Sequence, residues 1–163
     1  MLRSFLIGLT AGARAMTPLA VVANAARTGT LPADNGAPRF LSHPLVSLGA
    51  TAVAVYEYAG DKQKTAPDRI IPPAVIIRSA NAAFAGMALS PRGERFANAA
   101  VAGATAVLAS YLTFAGRMLA MRKGSQAVTG FAEDAIVLSS AIAAARAPLP
   151  EIHQPTRALS QPA

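Results

Sequence analysis

Residues 96–116 read FANAAVAGATAVLASYLTFAG, an uninterrupted run without a charged side chain. At about 1.5 Å per residue such a helix reaches about 30 Å, the thickness of the hydrocarbon core of a bilayer. The run therefore predicts a membrane-crossing helix. Four further apolar runs flank it: residues 4–26 with the single charge Arg14, 40–60 with Glu57, 70–91 with Arg78, and 125–145 with Glu133 and Asp134. Together they predict an all-α fold, a polytopic transmembrane bundle of four to five membrane-spanning helices over residues 1–145. The remainder, 146–163, holds Pro148, Pro150, Pro155 and Pro162 and is predicted to be a disordered tail.

Composition points the same way. The chain has 163 residues, of which 53% are hydrophobic and only 14% charged, against about a quarter charged in an ordinary soluble domain. Alanine fills 39 positions, and small residues let helices approach closely inside a bilayer. The formal net charge of +7 does not indicate nucleic acid, because the cations are scattered between apolar runs instead of forming a basic face. The expected partner is the lipid bilayer, in a bacterial inner membrane, and the small-residue faces also allow a homo-oligomer. The absence of cysteine excludes thiolate metal sites, disulfides and cysteine nucleophiles. No nucleophile triad, phosphate loop or dinucleotide fingerprint occurs, so neither an enzymatic activity nor a cofactor is expected.

Boundaries between the runs carry helix punctuation. Pro44 and the pair Pro72-Pro73 stand where a first helical turn tolerates proline. SPRGER, residues 90–95, reads as a tight turn joining two antiparallel helices. The N-terminal MLRSFLIGLTAGARA imitates a cleavable signal peptide, but apolar character resumes at once with MTPLAVVANAA. The whole stretch is read as one 23-residue span containing an arginine, with Gly8 and Gly12 as a close-packing G-x-x-x-G face.

Charges inside membrane spans cost about 2.5–3.5 kcal/mol each on insertion scales and mark functional sites. Glu57 and Asp61 are four apart at the end of one helix, where the dipole opposes them and mutual repulsion costs about 0.2–0.5 kcal/mol. They need a positive partner, either Lys62 with an arginine from another helix or a bound cation. Glu133 and Asp134 would fall in the first turn of a helix beginning near Gly130, where the dipole favours carboxylates. Carboxylates without cysteine or a histidine cluster suit a hard divalent cation or a proton. His43 and His153 read as solvated.

GLTAGARAMTPLAV, the E-x-x-x-D-K of Glu57 to Lys62, APDR at 66–69, the arginine within PPAVIIRSANAAFAG and the late FAEDAIVL resemble a bacterial membrane-protein family, domain of unknown function 4126. The resemblance covers most of residues 4–145. It implies an integral membrane protein of several helices, with no established activity, and draws attention to Arg14, Glu57, Asp61, Lys62, Arg69, Arg78, Glu133 and Asp134. A more distant similarity links Glu57 to Lys62 with the Glu-x-Gly-Asp motif of cation exchangers. One extra residue between Glu57 and Gly60 turns the acids by about 100° relative to that motif.

Two functions are thus expected to compete. One is a small transporter or channel for a hard cation or protons, with Glu57, Asp61, Glu133 and Asp134 as ligands or proton carriers and Arg14, Arg78, Lys62 and Arg69 as counter-charges. The other is a non-transporting membrane scaffold whose buried charges only specify helix packing.

Overall fold

The computed structural model describes residues 1–60, 70–121 and 126–146, without the side chains of 60, 117, 120, 121 and 126–133. These residues form six α-helices and no strand: α1 Leu2–Ala13, α2 Thr17–Arg27, α3 Pro44–Gly60, α4 Pro72–Ala88, α5 Arg95–Met121 and α6 Gln126–Arg146. The proline-marked starts of α3 and α4 lie where the sequence puts them. SPRGER contains a single 3-10 turn, Arg92–Glu94, that joins α4 to α5. The predicted tail beyond Arg146 lies outside the described residues, as do Asp61, Lys62 and Arg69.

The first apolar run is not one span. It breaks at Arg14, whose backbone is extended (φ −139°, ψ 112°), and helix resumes at Thr17 with Pro18 in its first turn. Pro18 is the physical reason. It has no N–H to offer the carbonyl of Arg14, four residues back, and its ring would clash with that carbonyl in a continuous helix.

The two halves fold back on each other. α1 runs parallel to α5: Ser4 donates to Asn98 at 2.8 Å, Gly8 lies against Ala102 and Thr105, and Gly12 against Ala109 and Ser110. α2 runs parallel to α4 instead, with Ala15 and Met16 beside Asn81 and Val22 and Ala23 in one cluster with Ala85, Ala88 and Leu89. Since α4 ends where α5 begins, α1 starts and α2 finishes at the same end of the bundle. The pair is a helical hairpin whose tip, residues 14–16, points into the interior.

Close approach makes the hairpin fit. A Cβ at Gly8 would lie 2.6 Å from the carbonyl oxygen of Ala102 and from Cβ of Thr105, so the G-x-x-x-G face does pack, and its partner is α5. Serine, threonine and alanine fill much of the interior, together with Arg14, Arg78 and Asn98. Large apolar side chains such as Leu45, Leu48, Ile76, Phe96, Leu108, Leu112 and Ile136 are exposed.

Among the described residues, one helical stretch, Arg92–Gly116, is both long and apolar enough to cross a membrane, and Leu2–Ala13 is apolar but shorter. α3 and α4 have 17 residues each, less than their parent runs, because Pro44 and Pro72 start them late and α4 also ends early, at Ala88.

Gly8→Ala is expected to destabilise the purified protein by about 1–3 kcal/mol, the usual cost of overpacking. Gly49→Ala, on α3 where an added Cβ meets nothing within 4 Å, is expected to be neutral or mildly stabilising. Thermal unfolding of the two variants in detergent, followed by circular dichroism, checks the contrast.

Candidate functional site

A helix that stops inside a protein leaves backbone carbonyls at its C-terminal end and N–H groups at the next N-terminal end without helical partners. The hairpin tip has both kinds within a few residues. Its surroundings supply what each lacks, from α3, α4 and α5.

From α3, Glu57 accepts hydrogen bonds from the backbone N–H of Ala15 at 2.8 Å and of Met16 at 2.9 Å, one to each carboxylate oxygen. The carboxylate therefore sits at the positive, N-terminal end of α2, where an anion is favoured. From α4, the fully helical and buried Arg78 donates to the carbonyl of Gly12 at 2.8 Å, placing a cation at the negative end of α1. The same carbonyl accepts from the Thr113 hydroxyl of α5 at 3.2 Å. Asn81 of α4 donates to the Met16 sulfur at 3.1 Å and to the Ala15 carbonyl at 3.4 Å.

The side chain of the break residue itself points to α6. Arg14 is wholly buried and donates from Nε to Oδ1 of Asp134 at 2.7 Å, with its NH2 group on the same oxygen. Asp134 keeps 14% of its side chain exposed. The guanidinium also lies over the ring of Tyr58, with Cζ 5.2 Å from the ring centroid, in cation–π geometry. The Tyr58 hydroxyl bonds that of Thr17 at 2.7 Å.

These contacts answer the problem of Glu57 differently from either expectation. Among the described residues its partner is the start of α2, a pair of backbone donors; Lys62 lies outside them. The expected first-turn role of Glu133 and Asp134 is also corrected. α6 begins at Gln126, so both acids lie beyond its second turn, and Asp134 meets an arginine instead of its own helix dipole. Of the eight residues singled out in the sequence, Arg14, Glu57, Arg78 and Asp134 come together around the tip. The side chain of Glu133 and the whole of Asp61, Lys62 and Arg69 lie outside the described residues. No group of three or more His, Cys, Asp or Glu able to hold a metal occurs among the described residues. His43 accepts from the N–H of Leu45 at 3.3 Å, at the start of α3.

Sequence reasoning missed Thr17, Tyr58, Asn81 and Thr113. One signal was available: Pro18 within an apolar run implies a break, and a break needs polar side chains opposite it.

A cavity of about 610 Å³ adjoins the tip. Thr17, Asn24, Thr28 and Thr30 line it from α2 and its C-terminal flank, Thr51 and Tyr58 from α3, and Leu138 and Arg146 are among its walls on α6. From Thr17 to Thr28 it follows α2 for about 16 Å. Its inner end is the Thr17–Tyr58 hydroxyl pair, and Asp134 lies one helical turn before Leu138.

No protein-family model, curated protein or solved structure matches this chain.

Removing one member of a buried ion pair costs about 3–5 kcal/mol, because the other charge is left without compensation, whereas replacing both by apolar residues is often close to neutral. Asp134→Leu alone is therefore expected to lower stability by up to that amount. The double variant Arg14→Met with Asp134→Leu should recover most of the loss. A double-mutant cycle of unfolding midpoints in detergent measures it.

Proposed function

We propose that the protein is a small polytopic membrane transporter for protons in a bacterial inner membrane. In this reading α3, α4, α5 and α6 cross the bilayer, and α1 with α2 enters it as a re-entrant hairpin. The distribution of side chains supports the bilayer. Many leucines and isoleucines of α3, α4, α5 and α6 face outward while serine, threonine, alanine and two arginines fill much of the interior, the arrangement expected where lipid replaces water as the solvent. Irregular backbone at membrane depth is tolerated when buried in protein, and the tip at residues 14–16 meets that condition. At about 26 Å, α3 and α4 are slightly short for the hydrocarbon core, a mismatch that local thinning accommodates at modest cost.

The observation that carries the transport reading is the cavity ending one helical turn from the Arg14–Asp134 pair. Discontinuous helices with polar groups gathered at their break are the usual construction of transporter sites. Asp134 is the member of the pair with an exposed fraction, and it is the one that takes up a proton. Arg14 keeps the ring of Tyr58 when it does. A proton fits better than a hard divalent cation. Such a cation requires about six oxygens, and both oxygens of Glu57 are already committed to backbone donors. That same commitment favours the second reading, a scaffold in which the charges only fix helix packing.

Two measurements test these statements. In proteoliposomes with an imposed pH gradient, the wild type should dissipate the gradient faster than empty vesicles, and Asp134→Asn should not. Equal rates for wild type and empty vesicles would leave the scaffold. Separately, the chain has no cysteine, so single cysteines report topology cleanly. Leu2→Cys, Gly29→Cys and Gly93→Cys should all react with an impermeant thiol reagent from the same face of the membrane. A continuous first span would put Leu2→Cys on the opposite face from Gly29→Cys.

A further inference from the structure

The cavity beside α2 has walls of one character and a mouth of another. α2 packs against both α3 and α6, whereas α3 and α6 barely touch each other among the described residues, so the cavity is a groove with α2 as its floor. It opens sideways to the surroundings: Val55 of α3 and Leu138 of α6 line it and are 59% and 42% exposed. Its hydroxyls are already engaged. Thr51 donates to the Ser47 carbonyl at 2.8 Å and Thr28 to that of Asn24 at 2.9 Å. Thr30 lies 3.3 Å from the Ala25 carbonyl and 3.2 Å from the Thr28 hydroxyl, and Thr17 and Tyr58 bond each other. What the walls present beyond those bonds is largely methyl and aliphatic surface.

The mouth is cationic. Asp134 meets Arg14 at the tip, and Ala144 and Ala145 cluster with Val22 and Ala23, so α6 runs alongside α2 and ends near its finish. Arg146, the last residue of α6, lines the groove there. Arg27, in the last turn of α2, donates from its NH2 group to Oδ1 of Asn24 at 2.9 Å, and Asn24 lines the same groove. A guanidinium has five N–H donors, so this bond leaves most of them for another acceptor. No Asp or Glu lines the groove among the described residues.

We propose that the groove binds an anionic phospholipid, with one acyl chain along α2 between α3 and α6 and the headgroup phosphate held at the mouth by Arg27 and Arg146. The inference rests on the bilayer placement above, not on proton passage. Basic pockets between membrane helices suit phosphate headgroups, and the guanidinium fork matches two phosphate oxygens. The sideways opening lets a lipid enter without leaving the bilayer, and its chain covers the exposed faces of Val55 and Leu138. A bare anion leaves the groove's length of about 16 Å unused, and a zwitterionic headgroup brings its own cation to a mouth that already has two. A seated chain fills the space next to the tip, so in the transport reading lipid and water occupy the groove in turn.

Native mass spectrometry of the full chain in nonionic detergent, titrated with dioleoylphosphatidylglycerol, tests the site. The first phosphatidylglycerol should bind about fivefold or more tighter than dioleoylphosphatidylcholine. Arg27→Gln and Arg146→Gln should each weaken it by about fivefold, the worth of one cation near an anionic lipid surface. Arg92→Gln, at the same end of the bundle but outside the groove, should stay within about twofold of wild type by the same measure. Thr51→Phe, which puts a ring in the groove and leaves both arginines, should also weaken binding by about fivefold or more; if it is not monodisperse, Val55→Phe on the exposed rim takes its place. An equal loss in Arg92→Gln would mean attraction to the charged end as a whole and overturns the site, as does equal affinity for phosphatidylcholine or undiminished binding by the groove-filling variant. Displacement by equimolar inorganic phosphate would leave an anion site without a chain, and equally tight oleate a fatty-acid site; either overturns the phospholipid. A lipid-free dimer of the wild type assigns the groove to a second copy instead. A wild type that conducts no protons leaves the lipid site standing, and the cysteine topology separately tests the bilayer placement on which it rests.

Discussion

The carboxylate of Glu57 on the backbone N–H groups of Ala15 and Met16 is what allows a helix to end in the middle of this protein. An interrupted helix exposes donors and acceptors that are expensive to bury without partners. Here the donors meet an anion from α3, and the Gly12 acceptor meets a cation and a hydroxyl from α4 and α5. Each polar group lies at the end of the helix dipole it complements. Removing the hairpin would leave these charges facing one another around an empty centre.

The rest of the architecture follows from that tip. Because α1 and α2 turn back, their packing partners are set by glycine and alanine faces that admit close approach, Gly8 and Gly12 against α5 above all. The polar interior in turn requires an apolar exterior, and the exposed leucines and isoleucines of α3, α4, α5 and α6 provide it. The hairpin tip stops well before the far end of the bundle, and the space beside α2, between α3 and α6, is the cavity. Its inner end is the Thr17–Tyr58 hydroxyl pair beside the tip.

How much was legible beforehand depends on the residue. Pro44, Pro72 and the turn at 90–95 mark element boundaries through local backbone chemistry, and they mark them correctly. Gly8 and Gly12 are legible as a packing face because their spacing is that of one helical side. Pro18 carried equally local information, but the length of the apolar run around it suggested a span. Arg14, Glu57, Arg78 and Asp134 stood out because a charge within an apolar run is costly wherever it points. Tyr58, Thr17, Asn81 and Thr113 did not, since hydroxyls and amides on membrane or core helices carry little cost when turned to their own backbone.

By itself the sequence determined that the chain is helical, that the helices are rich in small residues, and that a few charges must find partners inside. Those properties are local: proline geometry, side-chain volume and desolvation act on each residue regardless of its neighbours in space. Only the tertiary structure decided which partner each charge takes. The first turn of its own helix was one place for Asp134; the hairpin instead brings Arg14 to it across 120 positions of sequence and offers Glu57 two backbone donors. Pairing depends on direction and distance between helices, and the same alanine-rich faces are compatible with several arrangements until the broken helix, through its unpaired backbone, selects one.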